Sequence, residues 1–223
     1  MKVQVKNRIH SILKANGICI DRGKIDRKAF QCQIEEFAVE EVWKLQMRSA
    51  YRELLSLTKE QEGIKKLIYS QGYARFKHEV ELLLGIRGFS PLTAIALMSD
   101  VVDVHRFKNA RNFCSYLRAT PRVESSNQVT HVGQLNRLSR PLTCSLLTQS
   151  ILQLAQAGEH MSEFYQRVRV GKSAGKSRLA LIRKVLVSAF HMLRKDQPYY
   201  WVEEELYSKK LELFQRKLAG LAA

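Results

Sequence analysis

The chain has 223 residues, a length that fits one domain of ordinary size or two small ones. Hydrophobic residues make up 45% of it and charged residues 26%, which excludes a disordered chain and predicts a real core. No apolar run is long enough for a membrane span, and no secretory signal is visible. The four cysteines form no CxxC pair, so we expect a reducing cytoplasm, without a disulfide framework or structural zinc.

Positive charge is concentrated in one part of the chain. Lys and Arg number 37 against 21 Asp and Glu, a net charge of +16. Residues 104–195 contain 16 of the basic residues and three acidic ones, so this segment carries +13 and the rest +3. Lys and Arg that neutralise phosphates release condensed counterions, which makes a polyanion the natural partner. The segment therefore predicts nucleic-acid binding, with a basic solvated surface as the alternative.

Apolar residues recur at three- and four-residue steps along nearly the whole chain, which predicts an all-α fold. The first part contains predicted helices at residues 1–15, 26–57 and 60–84. Asn16-Gly17 is the predicted end of the first helix, Asp26 the cap of the second and Thr58 the cap of the third. Two long helices joined by a short turn predict an antiparallel helical hairpin or coiled coil. We therefore expect residues 1–81 to form a linker and this hairpin.

A turn between two helices is predicted near residue 85. Ser90 has the pattern of an N-cap, and Pro91 that of the first helical residue. The preceding Gly85 and Gly88 would let the backbone turn tightly and present free N–H groups to a phosphate. This pattern predicts a helix-hairpin-helix, and an ordinary helix-turn-helix corner is the alternative. Residues 82–223 are thus expected to form a helix-hairpin-helix-containing helical domain.

Residues 118–134 form the longest stretch without a helical pattern. Val123, Val129 and Val132 within it allow one small β-hairpin. Around this stretch we predict helices at residues 109–117, 141–156, 159–170, 176–194 and 199–218.

A Gly-Lys-Ser run near residue 175 lacks the properties of a phosphate-binding P-loop. Three residues separate Gly171 from Gly175-Lys176-Ser177, whereas the motif has four, and a predicted helix replaces the strand that should precede it. We interpret the run as an inter-helix loop with phosphate-facing lysines. Residues 167–195 contain nine Lys and Arg and no acidic residue. The predicted phosphate contacts in this segment are Lys172, Lys176, Arg178 and Arg183.

Carboxylates are scarce in the basic part. A two-metal nuclease needs several carboxylates that converge on the ions, and here Asp100, Asp103 and Glu124 are the nearest candidates. We interpret the two aspartates as capping or surface residues. No two histidines have ligand spacing. The chain is therefore predicted to contain no metal site and no cofactor of its own.

A series of short motifs follows the predicted turn. It comprises GIRGFSPLTA at 85–94, RFKNAR at 106–111 with Tyr116, TPRVESS at 120–126, FYQR at 164–167, Gly171-Lys172, Ala180, RKVL at 183–186 and DQPY at 196–199. In order and spacing, Leu84 to Trp201 resemble the C-terminal transposase domain of the IS-one-ten family, relatives of the Piv-type DNA invertases. Residues 5–18 resemble the family's linker helices.

The resemblance implies DNA recombination for a mobile element. In the family, an N-terminal RuvC-like domain carries four metal-binding carboxylates, the C-terminal domain supplies a serine, and an element-encoded guide RNA directs strand choice. Counting five residues from Pro121, as in the family, gives Ser126 as the nucleophile, with Ser125 as the less favoured neighbour. Arg122, Arg137 and Arg140 would offset transition-state charge near this serine.

Two departures from the family pattern stand out. Asn127-Gln128 replaces the two glycines that follow the family's serine, and the RuvC-like domain is missing. The chain therefore resembles a truncated or split transposase, with Mg²⁺ expected only when that domain is present. Expected partners are duplex DNA, guide RNA, and either further copies of this chain or a full-length transposase, in a nucleoid-associated location. A non-catalytic DNA-binding remnant or regulator is the alternative function, and RNA binding alone is a third.

Overall fold

The computed structural model describes residues 1–26, 29–126, 129–135 and 142–222. In the two strands it describes the backbone only. It confirms the predicted all-α class, to which one small hairpin is added. The helices are α1 Lys2–Ala15, α2 Phe30–Glu36, α3 Glu41–Arg75, α4 Lys77–Leu84, α5 Pro91–Val101, α6 Ala110–Tyr116, α7 Leu142–Gln149, α8 Ile151–Ala155, α9 Glu159–Gly171, α10 Ala174–Lys195 and α11 Glu204–Ala222, with a short 3-10 turn at Arg22–Lys24. The strands are β1 Pro121–Ser126 and β2 Val129–Leu135. In the part of the chain described, no helix is both long and apolar enough to cross a bilayer.

The chain forms two compact units, residues 1–66 and 67–223. The predicted domain boundary near residue 82 remains a prediction. The core of the first unit joins apolar faces of α1, α2 and α3, among them Val5, Ile9, Leu13, Phe30, Ile34, Met47, Tyr51 and Leu54. The α1 helix ends where predicted, because Asn16 is its C-cap and Gly17 takes a φ of +74° that glycine adopts without strain.

The predicted turn at Thr58 is wrong, because α3 continues through it without a break. The Thr58 hydroxyl donates to the carbonyl of Leu54 at 2.7 Å, a bond to the preceding helical turn instead of a cap for a new helix. The following Lys59-Glu60-Gln61-Glu62 consists of good helix formers, so nothing local ends the helix. The antiparallel hairpin predicted from helices at 26–57 and 60–84 is therefore not formed, because α3 runs from Glu41 to Arg75 as one helix.

Asp26 is also not the cap that the sequence suggested. Its carboxylate accepts a bond from Nζ of Lys6 on α1 at 2.6 Å, whereas α2 begins later, at Phe30, with Ala29 at its N-cap. The helical pattern then breaks at Phe37, whose ψ of 131° is extended. Hence the apolar periodicity predicted helices in this region correctly but merged α2 with the start of α3.

The α10 helix lies at the centre of the second unit, where it packs on α4, α6, α7, α8 and α9. Its buried residues recur at three- and four-residue steps: Leu181, Ile182, Val185, Leu186, Ala189, Phe190 and Leu193. They meet apolar side chains of the surrounding helices, which include Leu83, Leu84, Phe89, Leu97, Phe113, Leu147 and Leu154. This packing leaves the polar face of α10 toward solvent.

The predicted β-hairpin is present between α6 and α7. Strands β1 and β2 are antiparallel, with Val123 opposite Val132 and Ser126 opposite Val129. The register shifts between Pro121 and Val123.

A close contact between α3 and α5 gives the first testable prediction. A Cβ added to Gly72 would lie 2.3 Å from Cγ2 of Ile95, a branched side chain that cannot easily move away. We expect Gly72→Ala to lower the free energy of unfolding by about 2 kcal/mol, because overpacking outweighs the better helix propensity of alanine. Urea denaturation measures this change.

Gly63 provides the matched control in the same helix. Nothing lies within 4 Å of a Cβ added there, so Gly63→Ala should stabilise by about 0.5–1 kcal/mol. If the two substitutions changed stability by the same amount and sign, the close contact at Gly72 would be refuted.

Candidate nucleic-acid interface

Basic side chains surround the short connection between α9 and α10. Helix α9 ends at Gly171, and Ser173 is the N-cap of α10. Lys172, Lys176 and Arg178 are all exposed in and just after this connection. The positive end of the α10 dipole lies here as well, and it adds to the attraction for anions. The connection is thus a strongly electropositive surface.

Ser177 is not available as a P-loop hydroxyl. Its side chain is buried, and Oγ lies within 3.4 Å of the carbonyl oxygens of Val168, Lys172 and Ser173. A helix precedes the run, as predicted, in place of the strand of a P-loop. The run is thus no P-loop, but the inter-helix loop is shorter than predicted: only Lys172 and Ser173 lie between the helices, and Lys176 already belongs to α10.

Three basic residues form a stripe along α10. Lys176, Arg183 and Arg194 are seven and eleven residues apart, and each of these steps returns to nearly the same helix face at 3.6 residues per turn. All three side chains are exposed. The predicted contact Arg183 therefore lies in line with Lys176, and Arg194 extends the line to the last turn of the helix.

Lys184, which the sequence also placed in the basic run, is held by the protein. Its Nζ donates to the carbonyl of His160 at 3.2 Å and lies 4.4 Å from the ring centre of Phe164. Burial, together with the charge of Arg167, lowers the pKa of Lys184. This lysine supports the packing of α9 on α10 and is a poor candidate for phosphate contact.

The turn between α4 and α5 has the capping predicted for it. Oγ of Ser90 accepts the Thr93 N–H at 3.1 Å, and Pro91 is the first helical residue. Gly88 has a φ of +92°, and a Cβ added to it would lie 2.9 Å from Cδ2 of Leu154 on α8. A Cβ added to Gly85 would contact Val202 at 3.5 Å. Both glycines thus face other parts of the protein, and their predicted contact with DNA remains a prediction.

Residues far away in sequence cover the same turn. Nζ of Lys210 on α11 donates to the carbonyls of Leu84 and Ile86, both at 2.9 Å, and burial lowers the pKa of Lys210 to about 8. Arg87 pairs with Glu203 at 3.0 Å. Sequence reasoning missed these contacts because their partners are more than 100 residues apart and leave no local pattern.

Ser125 and Ser126 are the last two residues of β1, where they pair with Thr130 and Val129 of β2. Arg122 belongs to the same strand. The segment from Asn127 to Gln128, together with Arg137 and Arg140, lies outside the described residues. Ser126, the candidate nucleophile, is therefore the last residue of β1 and lies opposite the first residue of β2.

The acidic residues near this region have structural partners. Asp100 accepts a hydrogen bond from the Thr143 hydroxyl at 2.9 Å, and Asp103 accepts from the His105 N–H at 2.8 Å. The prediction of a capping or surface role is thus confirmed for Asp103, whereas half-buried Asp100 joins α5 to α7 through the buried Thr143. Among residues 1–26, 29–126, 129–135 and 142–222, no three His, Cys, Asp or Glu side chains come together as metal ligands.

Comparison with known proteins identifies part of this chain. Residues 80–166 match the family model described as Transposase IS116/IS110/IS902 family, and no curated protein matches the chain. The matched segment begins in α4 and ends in α9, so it contains the capped turn and both candidate serines. It confirms the resemblance seen in the sequence motifs. Residues 80–166 of this chain are therefore similar to the transposases of the IS116/IS110/IS902 family.

Proposed function

We propose that this chain binds duplex DNA during transposition, through the exposed basic side chains of the α9–α10 connection and of α10. One observation carries the proposal: between residues 167 and 195 there are nine Lys and Arg and no acidic residue. The four contacts predicted in that segment, Lys172, Lys176, Arg178 and Arg183, are all exposed.

The physical basis of binding is neutralisation of the phosphate backbone. Each phosphate that is neutralised releases condensed counterions, so affinity falls steeply as salt rises. Contacts to phosphate position a protein on the duplex and read no base sequence. The interface should therefore bind duplexes of different sequence with similar affinity.

We further propose that Ser126 is the nucleophile of strand transfer, with Ser125 as the less favoured alternative. Support comes from the family match, which includes β1, and from the place of the serine at the end of the hairpin. Attack by the serine oxygen on a DNA phosphodiester forms a phosphoserine bond and releases a deoxyribose oxygen, which takes up a proton. Arg122, Arg137 and Arg140 are proposed to offset the charge that develops on phosphorus. A metal held by a carboxylate-bearing domain would activate the hydroxyl.

The binding proposal is tested by removing three charges together. The variant Lys172→Ala/Lys176→Ala/Arg178→Ala should bind duplex DNA at least tenfold more weakly at 150 mM salt. The slope of log K against log salt should decrease in magnitude by about 3, since each lost contact removes about one unit. Fluorescence anisotropy over a range of salt concentrations measures both quantities.

A variant with the same loss of charge on α11 is the matched control. Lys209→Ala/Arg216→Ala/Lys217→Ala also removes three exposed basic side chains, and we expect it to weaken binding by less than threefold. Equal effects of the two triple variants would show that net charge alone drives binding. An affinity of the unaltered chain that does not depend on salt would refute the polyanion interpretation itself.

Two alternatives differ from the proposal in what they predict. A non-catalytic DNA-binding remnant or regulator would bind duplex DNA and never become linked to it. An RNA-binding protein would prefer structured RNA, which would then displace duplex DNA in competition. The proposed guide RNA and self-association remain predictions.

A further inference from the structure

Arg106 is an exposed arginine whose guanidinium is positioned by two aromatic rings. Its Cζ lies 4.7 Å from the ring centre of Phe107 and 4.6 Å from that of Tyr116. The two rings are themselves in edge contact at 5.3 Å. Stacking of this kind restricts an otherwise flexible side chain and leaves its N–H groups free to donate at the edges.

Arg194 reaches the same loop from the last turn of α10. One of its terminal nitrogens donates to the carbonyls of Phe107 and Lys108, at 3.0 and 3.1 Å. Its Cζ lies 5.5 Å from the ring centre of Phe190. Arg106 and Arg194 therefore both contact Phe107, one through its ring and the other through its carbonyl. Each guanidinium is thus held by contacts that involve Phe107, and among the described residues these contacts leave further N–H donors unused.

The surroundings of this pair are basic. Lys108, Arg111 and Lys195 are exposed on the same loop and helix ends. The acids nearest to them in the sequence are Asp103 and Asp196. Five basic residues thus face two acidic ones, so positive charge is in excess here.

We propose that Arg106 and Arg194 form a second phosphate-binding site for duplex DNA, at the opposite end of α10 from Lys176. This inference rests on the proposed DNA-binding function and extends it to Arg106, which lies in the motif at 106–111 without an assigned role, and to Arg194, which belongs to none of the motifs. A guanidinium held in a fixed plane binds a phosphate oxygen pair at a lower entropic cost than a free one.

The position of the two sites defines a path for the duplex. Lys176 and Arg194 are separated by 18 residues of one helix, which is about 27 Å at 1.5 Å per residue. Phosphates repeat every ~3.4 Å along one strand, so this length corresponds to about 8 base pairs. Arg183 lies between them on the same stripe. A duplex that follows α10 would contact all three positions.

The experiment uses the full chain and a 16-base-pair duplex. Arg106→Gln/Arg194→Gln should weaken binding at least tenfold and reduce the magnitude of the salt slope by about 2. Lys209→Gln/Arg216→Gln removes the same charge from α11 and should weaken it less than threefold. Because the two sites are far apart, the losses caused by the double variant and by the triple variant at 172, 176 and 178 should multiply.

Two further variants separate binding from folding and from charge. Arg106→Gln alone removes an exposed side chain whose contacts among the described residues are with rings, so it should keep the thermal midpoint and still weaken binding several-fold. Arg106→Lys keeps the charge and loses the planar stack, so the salt slope should stay the same and the affinity should fall.

The inference would be overturned if Arg106→Gln/Arg194→Gln weakened binding no more than its control does. If the triple variant still lost binding in that case, the proposed function would remain intact. Absence of duplex binding by the unaltered chain would instead remove the proposed function itself.

Discussion

Ser126→Ala should abolish the covalent protein–DNA species that this chain forms with element-end DNA when a cognate RuvC-like domain and guide RNA are supplied. The physical reason is that no other oxygen can form the phosphoserine bond if Ser126 is the nucleophile. The expected effect is therefore complete loss of product. Denaturing gel electrophoresis of labelled DNA, followed by protease digestion, detects the species directly.

Ser125→Ala is the matched control for this experiment. It removes a hydroxyl one residue away on the same strand, and it should leave part of the product. The isolated chain, without the second domain, should bind DNA and cleave it negligibly in the presence of Mg²⁺. Cleavage by the isolated chain that is insensitive to Ser126→Ala would show that both the nucleophile and the need for a second domain are wrong.

The second large effect is expected at Gly88. Replacement by valine places a branched side chain at a φ of +92°, where L residues are strained, and against Leu154, whose backbone nitrogen is 3.0 Å from the added Cβ. Strain costs about 1–3 kcal/mol and overpacking a similar amount. We expect Gly88→Val to lower the free energy of unfolding by about 3–5 kcal/mol, measured by urea denaturation.

Gly85→Ala is the control in the same turn. The φ of Gly85 is −61°, which any residue adopts, and the added Cβ would meet the Leu82 carbonyl oxygen at 3.2 Å and Val202 at 3.5 Å, both longer than the contacts at Gly88. The loss of stability should stay below about 1 kcal/mol. A Gly88→Val variant as stable as Gly85→Ala would refute the close packing of the turn on α8.

Binding measurements on the milder Gly88→Ala decide whether the turn also contacts DNA. A variant that folds and binds duplex normally would assign the turn to packing, as in an ordinary helix-turn-helix corner. A variant that folds and binds more weakly would support the helix-hairpin-helix interpretation. The packing against Leu154 and the cover provided by Lys210 favour the first result.

Local pattern in the sequence predicted the features that depend on neighbouring residues. The cap at Ser90, the end of α1 at Asn16 and the small hairpin that pairs Val123 with Val132 are interactions within a few residues or across one short connection. Such interactions depend on side-chain types at fixed spacing, so a single sequence contains them. The basic segment was visible for the same reason, because charge can be counted along the chain.

Thr58 had the pattern of a cap, but α3 continues through it, because Lys59 to Glu62 are good helix formers and the Thr58 hydroxyl bonds back to Leu54. Other features were decided by tertiary contacts. Gly88 had the pattern of a phosphate-binding turn, whereas its contact is Leu154, 66 residues away.

By itself, the sequence determined the helical class, the location of the positive charge and the family motifs. The tertiary structure decided which basic residues are free and which are held by the protein. Lys184 and Lys210 were indistinguishable from their neighbours by type, but each donates to backbone carbonyls of another element. Arg106 and Arg194 lie far apart in the sequence, and only the packing of α6 on α10 brings them to the same phenylalanine. The physical reason is that burial and partner choice depend on contacts between distant segments, which no local spacing records.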